Sequence, residues 1–198
     1  MIVIGIVGGI GSGKSRVASL LCDRGAVGID ADRIGHDVLG RGAVKKKLIR
    51  RWGRAIIGND GQVLRREIAR RAFSDPTELH ALNRIVHPPL LAEIRRRLSR
   101  ARREGCRAAV LDAALLLEFD LDRLTDLVIF VDTPHAVRLS RVSGHRGWDG
   151  EELTRRESHQ IPLSTKAARA DIIVNNHSSI DPVRRQVAHL WFIAGRSH

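Results

Sequence analysis

The pattern of apolar and polar positions at the start of the chain predicts a strand, a helix and a second strand. Residues 2–7 form a short apolar run that leads into glycines, which is typical of a strand buried on both faces. After a glycine-rich turn, apolar residues recur at helical spacing until Gly25, a residue type that often ends helices. An extended pattern resumes at residues 27–30. This order favours a parallel sheet with helical crossovers.

Farther along the chain, strand-like runs are separated by a long segment of helical character. Three runs have the composition of strands, namely residues 107–112, 127–132 and 171–174. Between residues 40 and 105 no strong strand pattern occurs, and helical stretches alternate with turn signals such as His87-Pro88-Pro89.

Two later helices have recognisable starts. Asp149 followed by Glu152 resembles a capping box, and it predicts a helix that continues to Gln160. The sequence Asp181-Pro182 predicts the start of the last helix, which should continue to about Ile193.

Composition and pattern together predict one α/β domain. Of the 198 residues, 43% are hydrophobic and 28% are charged, which is typical of a globular chain and excludes a disordered or fibrous one. We expect a central parallel sheet flanked by helices, with a core at about residues 1–39 and 106–198. Residues of about 40–105 should form a helical insert over the sheet.

The cysteines and the N-terminus bear on location. Cys22 and Cys106 lie far apart and have no CxxC spacing, so we expect two buried thiols in a reducing compartment. The first residues carry no basic segment and no cleavage site, and their apolar run is too short to cross a membrane. These features predict a cytoplasmic location without a membrane partner.

The charge predicts a polyanionic ligand. The formal net charge is +12, from 34 basic and 22 acidic residues, and residues 65–107 alone contain 12 arginines against five acidic residues. This segment is either a solvated helix face or a surface that meets phosphates. Aromatic residues make up only 4% of the chain, and no nucleic-acid recognition motif is visible. We therefore expect no nucleic-acid partner.

A phosphate-binding loop follows the first predicted strand. The sequence GxxxxGK[ST] is satisfied by Gly8, Gly9, Ile10, Gly11, Ser12, Gly13, Lys14 and Ser15. Its glycines let backbone N–H groups point at phosphate oxygens, while Lys14 adds a positive charge and Ser15 a hydroxyl ligand for Mg²⁺. The loop alone predicts a nucleoside triphosphate. The chain length, the helical insert and the lack of an NKxD motif favour a small-molecule kinase.

Two carboxylates follow the second predicted strand. Asp30 and Asp32 should lie at the carboxyl edge of the sheet, where the phosphate loop also lies. One of them could accept the proton of an acceptor hydroxyl during phosphoryl transfer. Alternatively, both could cap a helix that begins near Arg33.

Several segments in a fixed order resemble the dephospho-coenzyme A kinase family along nearly the whole chain. They are the loop GGIGSGKS, the sequence IDADRIGH from Ile29, the sequence DGQVLR from Asp60, Phe73 with LNRIVHP from Leu82, ALLLE from Ala114, and the spaced residues Gln160, Lys166, Ala170-Asp171 and Asn175-Asn176. The loop is generic, but the joint order of these segments is specific.

The resemblance implies an activity and a set of site residues. The activity is the ATP-dependent phosphorylation of the ribose 3′-hydroxyl of dephospho-coenzyme A, with ATP and Mg²⁺ as cofactors and coenzyme A and ADP as products. Catalytic roles would belong to Asp32 as the base, Lys14 and Arg141. Nucleotide binding would also involve Arg16, Arg146 and Asn176, and acceptor binding His36, Arg65, His87 and Glu118.

The resemblance further implies that residues of about 141–160 form a small lid that closes over ATP, and that the helical insert binds the coenzyme.

The sequence departs from the family pattern at Arg16, where Thr is usual, at Ala114, where Pro is usual, and at His177, where Gly is usual. The order of arginines in the lid leaves open which of them meets which phosphate. We expect a monomer or a weak homo-oligomer.

Other interpretations stay open. His87 could cap or pack, and Glu118 could pair with an arginine of a helix. The nearest alternative function is another small-molecule or nucleoside monophosphate kinase. An alternative of a different class is a nucleic-acid-binding ATPase, which the net charge of +12 motivates.

Overall fold

Five parallel strands form one sheet. In this computed structural model, which describes residues 1–72 and 74–194, the strands are β1 (Ile2–Gly8), β2 (Val27–Asp30), β3 (Ala108–Asp112), β4 (Leu127–Asp132) and β5 (Ile172–Asn175). Their spatial order is β2-β3-β1-β4-β5. The prediction of a parallel α/β sheet is confirmed, and the five predicted runs match the strands to within about one residue at each end. Phe73 lies outside the described residues.

The central position of β1 explains its uniform composition. β1 pairs with β3 on one side, where Ile6 is opposite Asp112, and with β4 on the other, where Ile6 is opposite Ile129. A strand with neighbours on both edges and helices on both faces has no exposed side, so an unbroken apolar run is favoured over an alternating one. Val3, Ile4, Ile6 and Val7 are accordingly buried.

The helices agree with most of the sequence pattern. They are α1 (Lys14–Cys22), α2 (Ala31–Gly40), α3 (Gly42–Trp52), α4 (Arg65–Ala72), α5 (Pro76–Arg103), α6 (His135–Arg146), α7 (Gly150–Glu157), α8 (Leu163–Ala168) and α9 (Ile180–Ala194). The predicted cap of α7 is confirmed, because the Asp149 carboxylate accepts the Glu152 N–H at 2.8 Å. The helix ends at Glu157, however, three residues before the predicted end. No helix of the described ranges is long and apolar enough to cross a membrane.

One turn prediction is wrong. His87-Pro88-Pro89 lies inside α5, a helix of 28 residues, although each proline lacks the N–H that the helix ladder needs. The apolar residues that follow recur at intervals of four, as Leu90, Ile94 and Leu98, and all three are buried. Burial of this apolar face stabilises the helix enough to offset the lost backbone hydrogen bonds.

The chain divides into two compact units. A sheet unit comprises Met1–Asp30 and the chain from Leu98 onward, and a helical unit comprises Ala31–Arg97. These boundaries differ from the expected limits of the insert at about 40 and 105. The substrate-binding role of the insert stays a prediction.

The core of the sheet unit places α1 and α9 on the same side of the sheet. Val17 and Leu21 of α1 and Val183 and Val187 of α9 are all buried in one apolar cluster. The cluster continues into β1, β3 and β4 through residues such as Ile4. Packing of α1 against the sheet fixes the start of that helix, and therefore the end of the glycine-rich loop before it.

The helical unit contains a concentrated ion-pair group around Glu93. This carboxylate binds Arg96 at 2.6 Å, Arg97 at 3.0 Å and Arg41 at 3.2 Å. The hydrogen bond from Arg96 is the main reason that the pKa of Glu93 is lowered from 4.5 to about 2, with Arg97 and Arg41 adding to it and partial burial opposing it. Part of the excess positive charge of α5 is therefore neutralised within the protein.

The lowered pKa of Glu93 predicts a pH dependence of stability. Because its pKa is lower in the folded state, its contribution is present above pH 4.5 and is lost as the pH falls towards 2. The free energy of unfolding is measured with urea between pH 2 and 6. Glu93→Gln should lower this free energy at pH 6, and it should decrease less than that of the native chain as the pH falls. Glu151→Gln, which removes an exposed carboxyl, is the control. An equal acid decline in the Glu93 variant and the native chain would contradict the prediction.

Candidate active site

The glycine-rich loop connects the end of β1 with the start of α1. Gly11 and Gly13 adopt left-handed backbone conformations, with φ of 75° and 90°. The Ser12 N–H donates to the Gly9 carbonyl at 3.2 Å, and the Val17 N–H donates to the Gly13 carbonyl at 3.2 Å. The first amides of a helix have no partner within the helix, so this geometry presents those of α1 to an anion at the loop.

Three elements hold the carbonyl oxygen of Ser12 from outside the loop. It accepts hydrogen bonds from Thr133 Oγ1 at 2.9 Å, Asn176 Nδ2 at 2.7 Å and Arg141 Nη1 at 3.2 Å. Asn176 is buried, and the structure places its side-chain amide on the loop backbone. Asn176 and Arg141, predicted nucleotide-binding residues, therefore lie against the loop and support its shape.

Lys14 folds back over the loop. Its Nζ donates to the carbonyls of Gly8 at 3.1 Å and Gly9 at 2.9 Å. Ser15 and Arg16 are exposed in the first turn of α1. The ammonium group of Lys14 therefore lies at the loop, where it can neutralise phosphate charge.

The two predicted lid arginines lie in different surroundings. Arg141 contacts the loop through the carbonyls of Ser12 and Gly11. Arg146, at the end of α6, is exposed, and its guanidinium lies over the Trp148 ring at 4.8 Å from the ring centroid. Arg156 covers the same ring at 4.0 Å. The structure thus brings Arg141 to the phosphate loop and leaves Arg146 in a stack with Trp148 and Arg156.

Asp112 is a candidate residue that the sequence interpretation missed. It ends β3, and the strand register places it opposite Asp30 of β2 and Ile6 of β1. Two carboxylates therefore end neighbouring strands at the sheet edge from which the phosphate loop leaves. An acidic residue at the end of the third predicted strand was a sufficient signal to identify it.

Mg²⁺ would find oxygen donors at this edge of the sheet. Among the described residues no group of three or more His, Cys, Asp or Glu side chains could hold a metal ion by itself. Mg²⁺ usually takes one or two protein oxygens and completes its shell with phosphates and water. The Ser15 hydroxyl and the Asp112 carboxylate are oxygen donors of this kind.

Two predicted acceptor residues line one cavity within the helical unit. His36 and Arg65 border a cavity of about 460 Å³, together with apolar side chains that include Leu39 and Leu64. Asp32 and His36 are one turn apart on α2, and both are exposed. His87 lies inside α5, and its acceptor-binding role stays a prediction.

Glu118 belongs to a buried ion pair. Its Oε1 lies 2.9 Å from Lys166 Nζ and accepts the Ile161 N–H at 3.0 Å. Lys166, of which only 1% is exposed, also donates to Gln160 Oε1 at 2.9 Å. The alternative that Glu118 pairs with an arginine is wrong, because its partner is this lysine of α8. The pair ties the segment after β3 to the connection between α7 and α8, and a substrate role for Glu118 stays a prediction.

The class of protein follows from the sheet and the loop. A parallel sheet with a phosphate loop after its central strand, and with Lys14 and Ser15 at the start of the next helix, defines a P-loop kinase. The solved shikimate kinase from Bacteroides thetaiotaomicron has the same fold, with a TM-score of 0.53 at 13% identity over 98% of both chains. Dephospho-CoA kinase from Campylobacter jejuni has a TM-score of 0.74 at 22% identity, over 99% of this chain and 98% of that one.

The sequence identifies the family. The family model described as dephospho-CoA kinase matches residues 2–182. Dephospho-CoA kinase from Corynebacterium efficiens is 37% identical over 96% of both chains, and that from Symbiobacterium thermophilum is 40% identical over 96% of this chain and 80% of its own. A solved structure from Thermus thermophilus has a TM-score of 0.85 at 33% identity, over 97% of each chain. The chain belongs to the dephospho-CoA kinase family.

Gly13→Ala should abolish tight nucleotide binding. A methyl group at Gly13 would lie 2.5 Å from Asn176 Nδ2, and the left-handed conformation is unfavourable for alanine. We expect the affinity for Mg·ATP, measured by calorimetry, to fall at least about tenfold, since the loop must shift. Gly42→Ala is the control, because the described residues leave open space around Gly42. An unchanged affinity would show that the loop tolerates the methyl group.

Removal of either member of the Glu118–Lys166 pair should destabilise the fold. Lys166→Met and Glu118→Gln each leave the other charge buried without its partner, which typically lowers the free energy of unfolding by about 3–5 kcal/mol. The double variant should lose less than the sum of the two. Urea unfolding measures these values, with Glu104→Gln, which breaks an exposed pair with Arg100, as the control. Additive losses would contradict a direct pairing.

Proposed function

We propose that the chain transfers the γ-phosphoryl group of ATP to the ribose 3′-hydroxyl of dephospho-coenzyme A, giving coenzyme A and ADP. The observation that carries this proposal is the match of the dephospho-CoA kinase family model across residues 2–182. The phosphate loop between β1 and α1 supports it, because it supplies the groups that a triphosphate needs.

The phosphate loop would neutralise the negative charge of the ATP phosphates. Amide groups at the start of α1 and the Lys14 ammonium group would hold the β- and γ-phosphates, and the bound Mg²⁺ would add its charge to theirs. Ser15, with Asp112, would hold that ion. Arg141, which donates to the Ser12 carbonyl of the loop, would stabilise charge that develops on the transferred group.

Asp32 is our candidate for the base. It stands two residues after Asp30, the last residue of β2, and in the first turn of α2. A carboxylate there would accept the proton of the 3′-hydroxyl and direct the oxygen at the γ-phosphate. His36, one turn farther along α2, and Arg65 would bind other parts of the acceptor from their common cavity. His87 and Glu118 are retained as acceptor-binding candidates on the family resemblance alone.

Residues of about 141–160, which include Arg146, would close over ATP and exclude water, so that ATP is not hydrolysed. Four further properties stay predictions from the sequence. They are the use of Mg²⁺, the cytoplasmic location, the lack of a nucleic-acid partner, and an oligomeric state of monomer or weak homo-oligomer.

The test of the function is ADP release by the purified protein with Mg·ATP. Dephospho-coenzyme A, AMP and adenosine are compared as acceptors, polynucleotide is added in a parallel reaction, and a reaction without acceptor gives the background. Stimulation by dephospho-coenzyme A alone would support the proposal. Stimulation by AMP would indicate a nucleoside monophosphate kinase, and stimulation by polynucleotide would indicate a nucleic-acid-dependent ATPase.

Asp32→Asn should separate binding from turnover. The variant keeps the size of the side chain and loses its basicity, so kcat should fall by roughly 10²-fold or more while the affinity for Mg·ATP stays nearly unchanged. Asp37→Asn, on the same helix and equally exposed, is the matched control. Near-normal turnover in the Asp32 variant would remove Asp32 from the role of base.

A further inference from the structure

Arg138 is a buried cation beside the phosphate loop. Only 4% of Arg138 is exposed. Its Nε donates to the Thr133 carbonyl at 3.2 Å, and its Nη1 donates to the Ile10 carbonyl at 3.3 Å. A buried guanidinium destabilises a protein unless it is paired, and here the Glu157 carboxylate forms the pair with Nη1.

Glu157 contacts the loop as well as Arg138. Its Oε1 accepts the Ile10 N–H at 3.1 Å. Ile10 is therefore held from both sides, through its carbonyl by Arg138 of α6 and through its N–H by Glu157, the last residue of α7. One ion pair thus connects the tip of the phosphate loop with the two helices that contain most of the predicted lid.

The charges of Arg138 and Glu157 affect the binding of a triphosphate at the loop. A carboxylate next to a phosphate loop repels the ligand unless its charge is compensated. Arg138 supplies that compensation, because its guanidinium is always protonated and lies directly on Glu157 Oε1. The two losses differ in the charge that they leave. Loss of Glu157 removes the acceptor of the Ile10 N–H and leaves the Arg138 cation unpaired, whereas loss of Arg138 removes the donor to the Ile10 carbonyl and leaves a negative charge beside the loop.

We infer that Arg138 and Glu157 are a positioning pair for ATP, which fixes the tip of the phosphate loop and cancels a charge that would otherwise weaken nucleotide binding. This inference rests on the proposed function as far as ATP is the ligand of the loop. The pair acts through Ile10 and contacts no reacting atom. A group that shapes the loop equally before and during transfer changes KM for ATP and leaves kcat nearly unchanged.

The experiment measures the Kd of Mg·ATP by calorimetry, and KM and kcat by ADP release, for variants of the full chain. Glu157→Ala should weaken ATP binding about tenfold, the effect of losing one charged hydrogen bond to the loop. Glu157→Gln keeps an oxygen acceptor for the Ile10 N–H and should stay within about threefold of the native chain. Glu104→Ala, an exposed carboxylate outside the phosphate loop and the predicted lid, should leave Kd unchanged.

Arg138→Met tests the charge. It should weaken ATP binding more than Glu157→Ala does, and adding Glu157→Gln should recover at least about threefold of that loss, since the unpaired carboxylate is removed. A purely structural role would lower the melting temperature of Glu157→Ala while its Kd for ATP stayed at the native value, and that result would overturn the inference. If Arg138→Met does not fold, the Kd values of Glu157→Ala and Glu157→Gln still test the inference. A Glu157→Ala variant with the native Kd for Mg·ATP would contradict it.

Binding is the primary measurement because it separates this inference from the proposed function. A native chain that binds Mg·ATP but fails to phosphorylate dephospho-coenzyme A would contradict the function. A Glu157→Ala variant that binds ATP as tightly as the native chain would contradict the positioning role.

Discussion

A loop that points its amides at an anion must turn its carbonyls outwards, and those carbonyls need partners in the protein. This constraint organises much of the sheet unit. The Ser12 carbonyl is satisfied by Thr133 after β4, Asn176 after β5 and Arg141 of α6. The Ile10 peptide takes its partners from α6 and α7. Segments far apart in sequence therefore converge on one short loop, and its shape depends on all of them.

The arrangement also explains why charge is concentrated around the loop. Cations satisfy outward carbonyls and attract phosphate at the same time, whereas a neutral donor such as Thr133 does only the first. Arg141 and Lys14 both bind loop carbonyls, so their positive charges lie at the loop itself. Preorganised charge of this kind needs no rearrangement at the moment of reaction.

The elements that the sequence predicts correctly are those with a local pattern of residue types. The strands were visible because a buried parallel strand is an unbroken apolar run, and the loop because its glycines and Lys14 have fixed spacing. The predictions from sequence are wrong or missing where contacts between residues far apart in the chain determine the structure. The prolines of α5 signalled a turn, yet burial along the helix outweighed them. Lys166 belonged to a recognised pattern, but its burial against Glu118 depends on two segments meeting in the fold. The pairing of Arg138 with Glu157 left no local signal either.

The contact of the Trp148 ring with two guanidinium groups gives the protein an optical property. The chain has three tryptophans and no tyrosine, so its near-ultraviolet emission comes from indole rings. Trp52 donates through its indole N–H to Glu78, and Trp191 lies beneath Arg107; neither belongs to residues 141–160. Trp148 alone among the three belongs to the segment expected to close over ATP, with Arg146 and Arg156 on its ring. A rearrangement of that segment would change the surroundings of this one fluorophore, which makes the native chain its own reporter of closure without an attached dye.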